Sequence, residues 1–354
     1  MKAVNMAMKA VRLFGIGDLR VVDVAIPEIK EDEALIKVRA VGVCGSDIPR
    51  VMSKGAHSMP LTIGHEFAGR IERVGSRVRG WAPGDRVTAA PLMPCFQCHW
   101  CLQGDYHLCD DYDYLGSRCD GALADFVKVP AKNLVRLPDA VDFRAGAMTD
   151  PAAIALHGIW RGSPGLGDTV AIFGMGPIGF LALQWVRIMG AREVVAVDVF
   201  DDKLRLAQKL GATLTVNALV EDPVARIHEL TSGRGANLVV EAAGLETTQI
   251  QSIQSTCKLG SAILLGISGD KLGLPSSIVD KIMRDEVHVT GSWNSNSEPF
   301  PGREWFLSVD HMASGDLQSR PLVSHEYAMD EAPAVFDKIA RRDFSFSKVM
   351  FNLG

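Results

Sequence analysis

The chain has 354 residues, enough at roughly 100–200 residues per domain for two domains that each bury a core. Hydrophobic residues make up 47% and charged residues 22%, which excludes an extended disordered chain. Lys and Arg number 37 against 42 Asp and Glu, and the net charge of -5 gives no general reason to expect nucleic acid or an anionic membrane, so a small-molecule partner is expected.

At the N-terminus, Lys2, Lys9 and Arg12 arrive without a sustained apolar stretch or a small-residue cleavage site. A secretory signal is therefore not expected, and the cytoplasm is the expected location. Met8-Lys9-Ala10 repeats Met1-Lys2-Ala3, so the residues before Met8 read as a loose extension or an alternative start. From Val21 to about Pro130, short β-branched runs such as 35–43, 68–74 and 124–129 are separated by turns including Pro83-Gly84-Asp85. This pattern predicts an irregular all-β domain.

Two groups of metal-ligand types fall within or close to that domain. Cys44-Gly45-Ser46-Asp47, Gly64-His65-Glu66 and the later Asp150-Pro151 supply a thiolate, an imidazole and carboxylates. Such a set makes an open zinc site with room for water or an alcohol. Spacing alone fits equally well with Cys44 as a small core residue and His65 as a satisfied turn histidine. The second group is more specific: Cys95, Cys98, Cys101 and Cys109 form Cys-x2-Cys-x2-Cys-x7-Cys, four of the 7 cysteines on one short loop. Four soft ligands close a tetrahedral zinc–sulfur cage with no open position, so this zinc is expected to be structural. Buried thiols or an iron–sulfur loop are the alternatives, and neither accounts for the rest of the chain.

A helix is expected between Asp150 and Ser163, followed by the breaker cluster Gly162, Ser163, Pro164, Gly165 and Gly167, with the domain junction nearby. From Thr169 the texture becomes buried strands alternating with amphipathic helices: 170–173, a helix to Met189, 193–197, a helix over 202–210, 238–241 and a helix, then 262–265. That rhythm predicts a parallel, doubly wound sheet. The apolar stretch 170–183 is broken by Gly174, Gly176, Pro177 and Gly179 and falls short of the ~20 residues that span a bilayer.

The first of these strands leads into Gly174-Met175-Gly176-Pro177-Ile178-Gly179 and then a helix, the setting in which a Gly-x-Gly-x-x-Gly run binds a dinucleotide pyrophosphate. Asp198 closes the second strand, where a carboxylate accepts from the adenosine ribose hydroxyls and repels a 2′-phosphate, favouring NAD over NADP. The simpler alternative is that Asp198 caps the helix carrying Lys203 and Leu204.

Gly64-His65-Glu66-Phe67-Ala68-Gly69, Pro83-Gly84-Asp85-Arg86-Val87, the four-cysteine loop and the glycine run occur in an order that resembles the zinc-dependent medium-chain alcohol and polyol dehydrogenases, over essentially the whole chain from about Met8. The resemblance implies a GroES-like β domain over 1–157, a Rossmann domain over 158–292 and a return to the first domain over 293–354, with the active site in the cleft between them. It also implies Cys44 and His65 on a catalytic zinc, Glu66 as a neighbouring or exchangeable ligand, Asp150 in the third ligand place, Ser46 as proton relay, and Lys203 beside the ribose-binding acid. Polyol dehydrogenases of this type commonly carry Glu where Asp150 stands and alcohol dehydrogenases Cys, and Asp is one methylene shorter, which leaves direct and water-mediated ligation both open.

Cys44-Gly45-Ser46-Asp47-Ile48-Pro49-Arg50, Gly55-Ala56-His57, Leu115-Gly116-Ser117-Arg118 and Gly291-Ser292-Trp293 are similar to the branch that acts on galactitol 1-phosphate. The expected reaction is removal of hydride from a secondary hydroxyl of a polyol or polyol phosphate to NAD, giving a ketose. Arg50, Lys54 and His57 are spaced for one helix face and, with Arg118, are the candidates for a phosphate; as a merely solvated basic face they leave a free hexitol as substrate. The remaining alternatives are a dehydrogenase of another secondary alcohol such as threonine, or a non-catalytic NAD-binding zinc protein. Cys44, His65, the four-cysteine loop and Asp198 argue against a zinc-free quinone reductase. Members of this family usually form homo-dimers or homo-tetramers.

Overall fold

The structure, a computed structural model, describes residues 7–268 and 271–354, so all but Ala7 of the expected loose leader lies outside the described residues. The chain divides into two compact units: Met1–Asp150 with Asn296–Ala313 and Ser319–Gly354, and Pro151–Ser295 with Ser314–Gln318. The change-over at Asp150 falls earlier than the expected 157/158, in the first turn of the helix Thr149–Arg161, and the return falls at Asn296 rather than 293.

The first unit is mainly β. Its leading strands are β1 (Ala7–Gly15), β2 (Asp18–Ala25), β3 (Glu33–Gly42), β4 (Leu61–Thr62), β5 (Glu66–Val74), β6 (Arg86–Ala89), β7 (Leu92–Met93), β8 (Asp113–Tyr114), β9 (Phe126–Pro130) and β10 (Leu134–Arg136). The second unit carries β11 (Thr169–Phe173), β12 (Glu193–Asp198), β13 (Leu214–Asn217), β14 (Ala236–Glu241), β15 (Thr256–Leu264) and β16 (His288–Gly291), after which β17 (Val323–Ala328) and β18 (Lys348–Asn352) return to the first. Among the described residues no helix is long and apolar enough to cross a membrane.

In the first unit, β1 pairs with β2 and β4, while the larger sheet runs β10-β6-β5-β3-β18-β17 with β9 also on β3. Its core joins Ile36 and Val38 of β3 with Phe67 and Ile71 of β5, Phe336 of the helix Ala332–Arg341, and Phe351 of β18. Register brings distant residues together here. Gly42 at the end of β3 stands opposite both Glu66 of β5 and Met350 of β18, so the first residue of β5, the chain just past β3 and the start of β18 converge.

The second unit is a six-stranded parallel sheet in the order β13-β12-β11-β14-β15-β16, the doubly wound arrangement expected. Strands covered on both faces read as unbroken apolar runs, as β11 does in Thr-Val-Ala-Ile-Phe. The two outer strands, β13 and β16, are short and partly exposed, and their sequences carry no such run.

Phe351 is fully buried and ties β18 to this core. Phe351→Ala is expected to cost about 3–5 kcal/mol, read as a lower midpoint in urea unfolding; a loss within experimental error would contradict the placement of β18.

Candidate active site

Just past β3, Cys44-Gly45-Ser46-Asp47 folds into a tight turn in which the Asp47 N–H donates to the Cys44 carbonyl at 3.0 Å and the Cys44 N–H donates to Asp47 Oδ2 at 3.1 Å. The turn directs the thiol toward His65 and Glu66, and the three ligand atoms lie within 4.8 Å of one another. Ser46 Oγ donates to Cys44 Sγ at 3.3 Å. The Asp47 carboxylate, fully buried, has Oδ1 3.5 Å from His65 Nδ1 and also takes the Arg50 guanidinium. With Nδ1 turned to a carboxylate, Nε2 is the ring nitrogen left for a metal. Burial disfavours the charged imidazole, but Asp47 and the Cys44 sulfur outweigh it and raise His65 well above its ordinary value.

Glu66 is buried against Lys348, itself 2% exposed, whose ammonium donates to Glu66 Oε2 at 2.5 Å and to the Val43 carbonyl at 3.0 Å. The pair needs a bare backbone beside it, because a Cβ on Gly42 would stand 2.4 Å from Glu66 Oε2. Asp150 is 4% exposed, and its Oδ2 has no hydrogen-bond partner. Burial pushes its carboxyl up to about 7. Cys44, His65 and Glu66 bring their ligand atoms together, and Asp150 is not a member of that set. Tyr114 sets its ring edge-on to His65, with centroids 5.5 Å apart.

A thiolate, an imidazole and a carboxylate are a fitting donor set for a zinc ion that keeps one position open. The four-cysteine loop fits a closed one. Zinc–sulfur bonds of about 2.3 Å in a tetrahedron put sulfurs about 3.8 Å apart, and here Cys95 and Cys101 Sγ are 4.0 Å apart and Cys98 and Cys109 Sγ 3.9 Å. All four thiols are free. Backbone N–H groups of Cys95 and Cys98 donate to Cys109 and Cys95 sulfur at 3.2 and 3.3 Å, support that a thiolate cage uses.

In the second unit, Gly174 has φ 95°, where a side chain is strained, and a Cβ on Gly179 would fall 1.9 Å from the Gly174 carbonyl. Gly176 differs: its φ is -82° and a Cβ there would meet nothing within 4 Å, so nothing in the chain itself calls for glycine. A ligand approaching the backbone at the start of the helix Pro177–Ile188 would account for it. Asp198 Oδ2 accepts from the Met175 N–H at 2.6 Å and Oδ1 from Val199 and Phe200 N–H at 2.8 and 3.1 Å. It thus braces the glycine turn, while Phe200 takes the N-cap of the helix Asp201–Lys209. Lys203 lies over the Phe200 ring at 5.0 Å.

The phosphate candidates do not share one helix face. The helical turns end at Lys54, and Gly55 with φ 77° redirects the chain, leaving His57 off the helix and exposed. Arg50 is engaged by Asp47, Lys54 is exposed, and Arg118 stacks over Tyr112 at 4.2 Å. Three residues near the candidate metal donors escaped the sequence reading as functional. Asp47 had a local cue, an acid three residues past a cysteine. A lysine opening the apolar run Val349-Met350-Phe351 was the cue for Lys348, whereas Tyr114 had none.

The pattern described as "Alcohol dehydrogenase GroES-like domain" matches residues 30–139, and that described as "Zinc-binding dehydrogenase" matches 177–308. Galactitol 1-phosphate 5-dehydrogenase of Escherichia coli (strain K12) is 37% identical over 326 residues, covering 92% of this chain and 94% of its own. The crystal structure of galactitol-1-phosphate dehydrogenase from Escherichia coli superposes with a TM-score of 0.93 at 36% identity, over 98% of this chain and all (100%) of that one. A zinc-binding dehydrogenase of Sinorhizobium meliloti 1021, solved bound to NADP, gives 0.91 at 34% identity over 98% of this chain and 100% of that one.

Removing one partner of a buried ion pair strands the other. In metal-free protein, Lys348→Met is expected to lower unfolding free energy by about 3–5 kcal/mol, and adding Glu66→Gln in the same chain to recover most of it. Equal stabilities of the single and double variants in urea titrations would contradict the pairing.

Proposed function

Because the chain belongs to the zinc-binding medium-chain dehydrogenases of alcohols and polyols, we propose that it oxidises a secondary hydroxyl of a polyol phosphate resembling galactitol 1-phosphate to a ketose, with NAD as acceptor. The observation that carries this reading is the convergence of Cys44, His65 and Glu66 within 4.8 Å. Those three would hold one zinc, and Cys95, Cys98, Cys101 and Cys109 a second, structural one. When bound, the first zinc supplies Lewis-acid polarisation of the substrate hydroxyl and NAD takes up the hydride.

The remaining work falls to side chains. Asp47 fixes the His65 ring so that Nε2 stays available. Lys348 holds Glu66 in place, and Ser46 hands the hydroxyl proton outward from beside Cys44. Asp150, whose Oδ2 has no hydrogen-bond partner, accepts a hydrogen bond from a bound hydroxyl or water. In the other unit, the free N–H groups at Gly176 and the helix Pro177–Ile188 receive the pyrophosphate, and Asp198 receives the adenosine ribose with Lys203 beside it. The Sinorhizobium relative was solved with NADP, so the preference for NAD rests on Asp198, whose charge disfavours a 2′-phosphate. A homo-dimer or homo-tetramer is proposed on the family's habit.

A free hexitol is the second reading, favoured by the engagement of Arg50 with Asp47 and by the position of His57 off the helix. Initial rates with galactitol 1-phosphate, galactitol, sorbitol and altritol separate the two: a higher kcat/KM for the phosphate supports the first, and parity supports the second. No NAD reduction with any of these four polyols would contradict both. Cys44→Ala and His65→Ala are expected to abolish turnover while leaving NAD binding intact, and turnover by metal-free protein would contradict the proposal.

A further inference from the structure

Glu241 closes β14 with its side chain 0% exposed. Its Oε1 accepts three hydrogen bonds, from the Ala243 N–H at 2.9 Å, the Gly244 N–H at 2.8 Å and the Thr248 hydroxyl at 2.8 Å. Its Oε2 has no hydrogen-bond partner among the described residues. All of its polar partners are donors, so the group is met as an acceptor. A glutamine oxygen could accept the same bonds, and what an acid adds is charge. Burying that charge is costly when no cation answers it.

The position suggests the cation. Glu241 pairs with Phe173 at the carboxyl ends of β14 and β11, the neighbouring strands between which the sheet reverses its order. A dinucleotide lies across such a switch point, outside the strand ends. The glycine turn and Asp198 belong to the β11–β12 side, where the pyrophosphate and adenosine ribose are assigned. The nicotinamide half then falls to the β14–β15 side, over the turn that Glu241 pins. That turn packs on Gly174, whose added Cβ would lie 2.9 Å from the Ala243 nitrogen. The loop after β15 is locked to it as well: Leu265 and Gly266 N–H donate to the Glu241 carbonyl at 2.8 and 3.0 Å, and a Cβ on Gly266 would fall 2.2 Å from the Gly244 nitrogen.

We infer that Glu241 selects the oxidation state of the cofactor: its buried carboxylate favours the positively charged oxidised nicotinamide over the neutral dihydronicotinamide. The inference rests on the dinucleotide reading above. Glu241 acts through its field across a low-dielectric interior, without touching the cofactor. The result is an enzyme that holds NAD+ in preference to NADH and so is poised for alcohol oxidation and release of the reduced cofactor.

The test is the dissociation constants of NAD+ and NADH for the full-length zinc-loaded protein and for Glu241→Gln, by calorimetry and NADH fluorescence. The variant is expected to weaken NAD+ about tenfold, equivalent to about 1.4 kcal/mol, with NADH changed less than about twofold. Equal weakening of both would reduce Glu241 to a clamp on the loop and overturn the inference alone. Wild-type protein that binds neither form would overturn the dinucleotide reading and the inference with it. If Glu241→Gln does not fold, Thr248→Val keeps the acid and removes one donor, leaving its charge less compensated. The NAD+/NADH preference should then move further toward NAD+, and an unchanged preference or a shift toward NADH would contradict the proposal.

Discussion

Three acidic side chains are buried together in the first unit beside a partly exposed thiol, and only two of them meet a fixed cation. Asp47, Glu66 and Asp150 are each less than a tenth exposed, and the Cys44 thiol is beside them. Arg50 answers Asp47 and Lys348 answers Glu66. Charges taken out of water are tolerated only when paired and hydrogen-bonded. Asp150 does not meet that condition at Oδ2, which lacks a hydrogen-bond partner. A divalent cation on the Cys44–His65–Glu66 set would add the missing positive charge, and its field would reach Asp150 as well. The strand register around Gly42 exists in a form that serves this arrangement, because it delivers a cysteine turn, a glutamate and a lysine from three separate stretches of chain.

On the dinucleotide reading, the second unit would hold an anion without a fixed positive side chain. Gly174 and Gly179 are demanded by the chain's own packing, and Gly176 is not. Asp198 ties the turn down by accepting from Met175, so the carboxylate proposed for the ribose also sets the backbone that would meet the pyrophosphate. The capping alternative posed from the sequence does not hold, since Phe200 takes the N-cap of the helix Asp201–Lys209 and Asp198 braces the glycine turn.

Legibility followed sequence separation. The four-cysteine loop and the glycine turn are contiguous, their geometry is local, and both were readable from spacing. The doubly wound sheet was readable because its central strands are buried on both faces and carry unbroken apolar runs. Edge strands β13 and β16 lack that signal. The donor set of Cys44, His65 and Glu66 needed the family resemblance, since no local rule joins positions across a sheet. Lys348 lies 282 positions from Glu66, and nothing short of the register of β18 on β3 reveals the contact. The shared helix face expected for His57 fails for a local physical reason, since Gly55 turns the chain before a helix can carry it.

The most direct test of this account is the sulfur count around the metal. Elemental analysis of the zinc-loaded protein should give two zinc per chain, and X-ray absorption at the zinc edge a mean of about 2.5 sulfur ligands each, the average of four on one ion and one on the other. A single zinc per chain in a purely sulfur environment would contradict it, because the Cys44–His65–Glu66 set would then hold no metal.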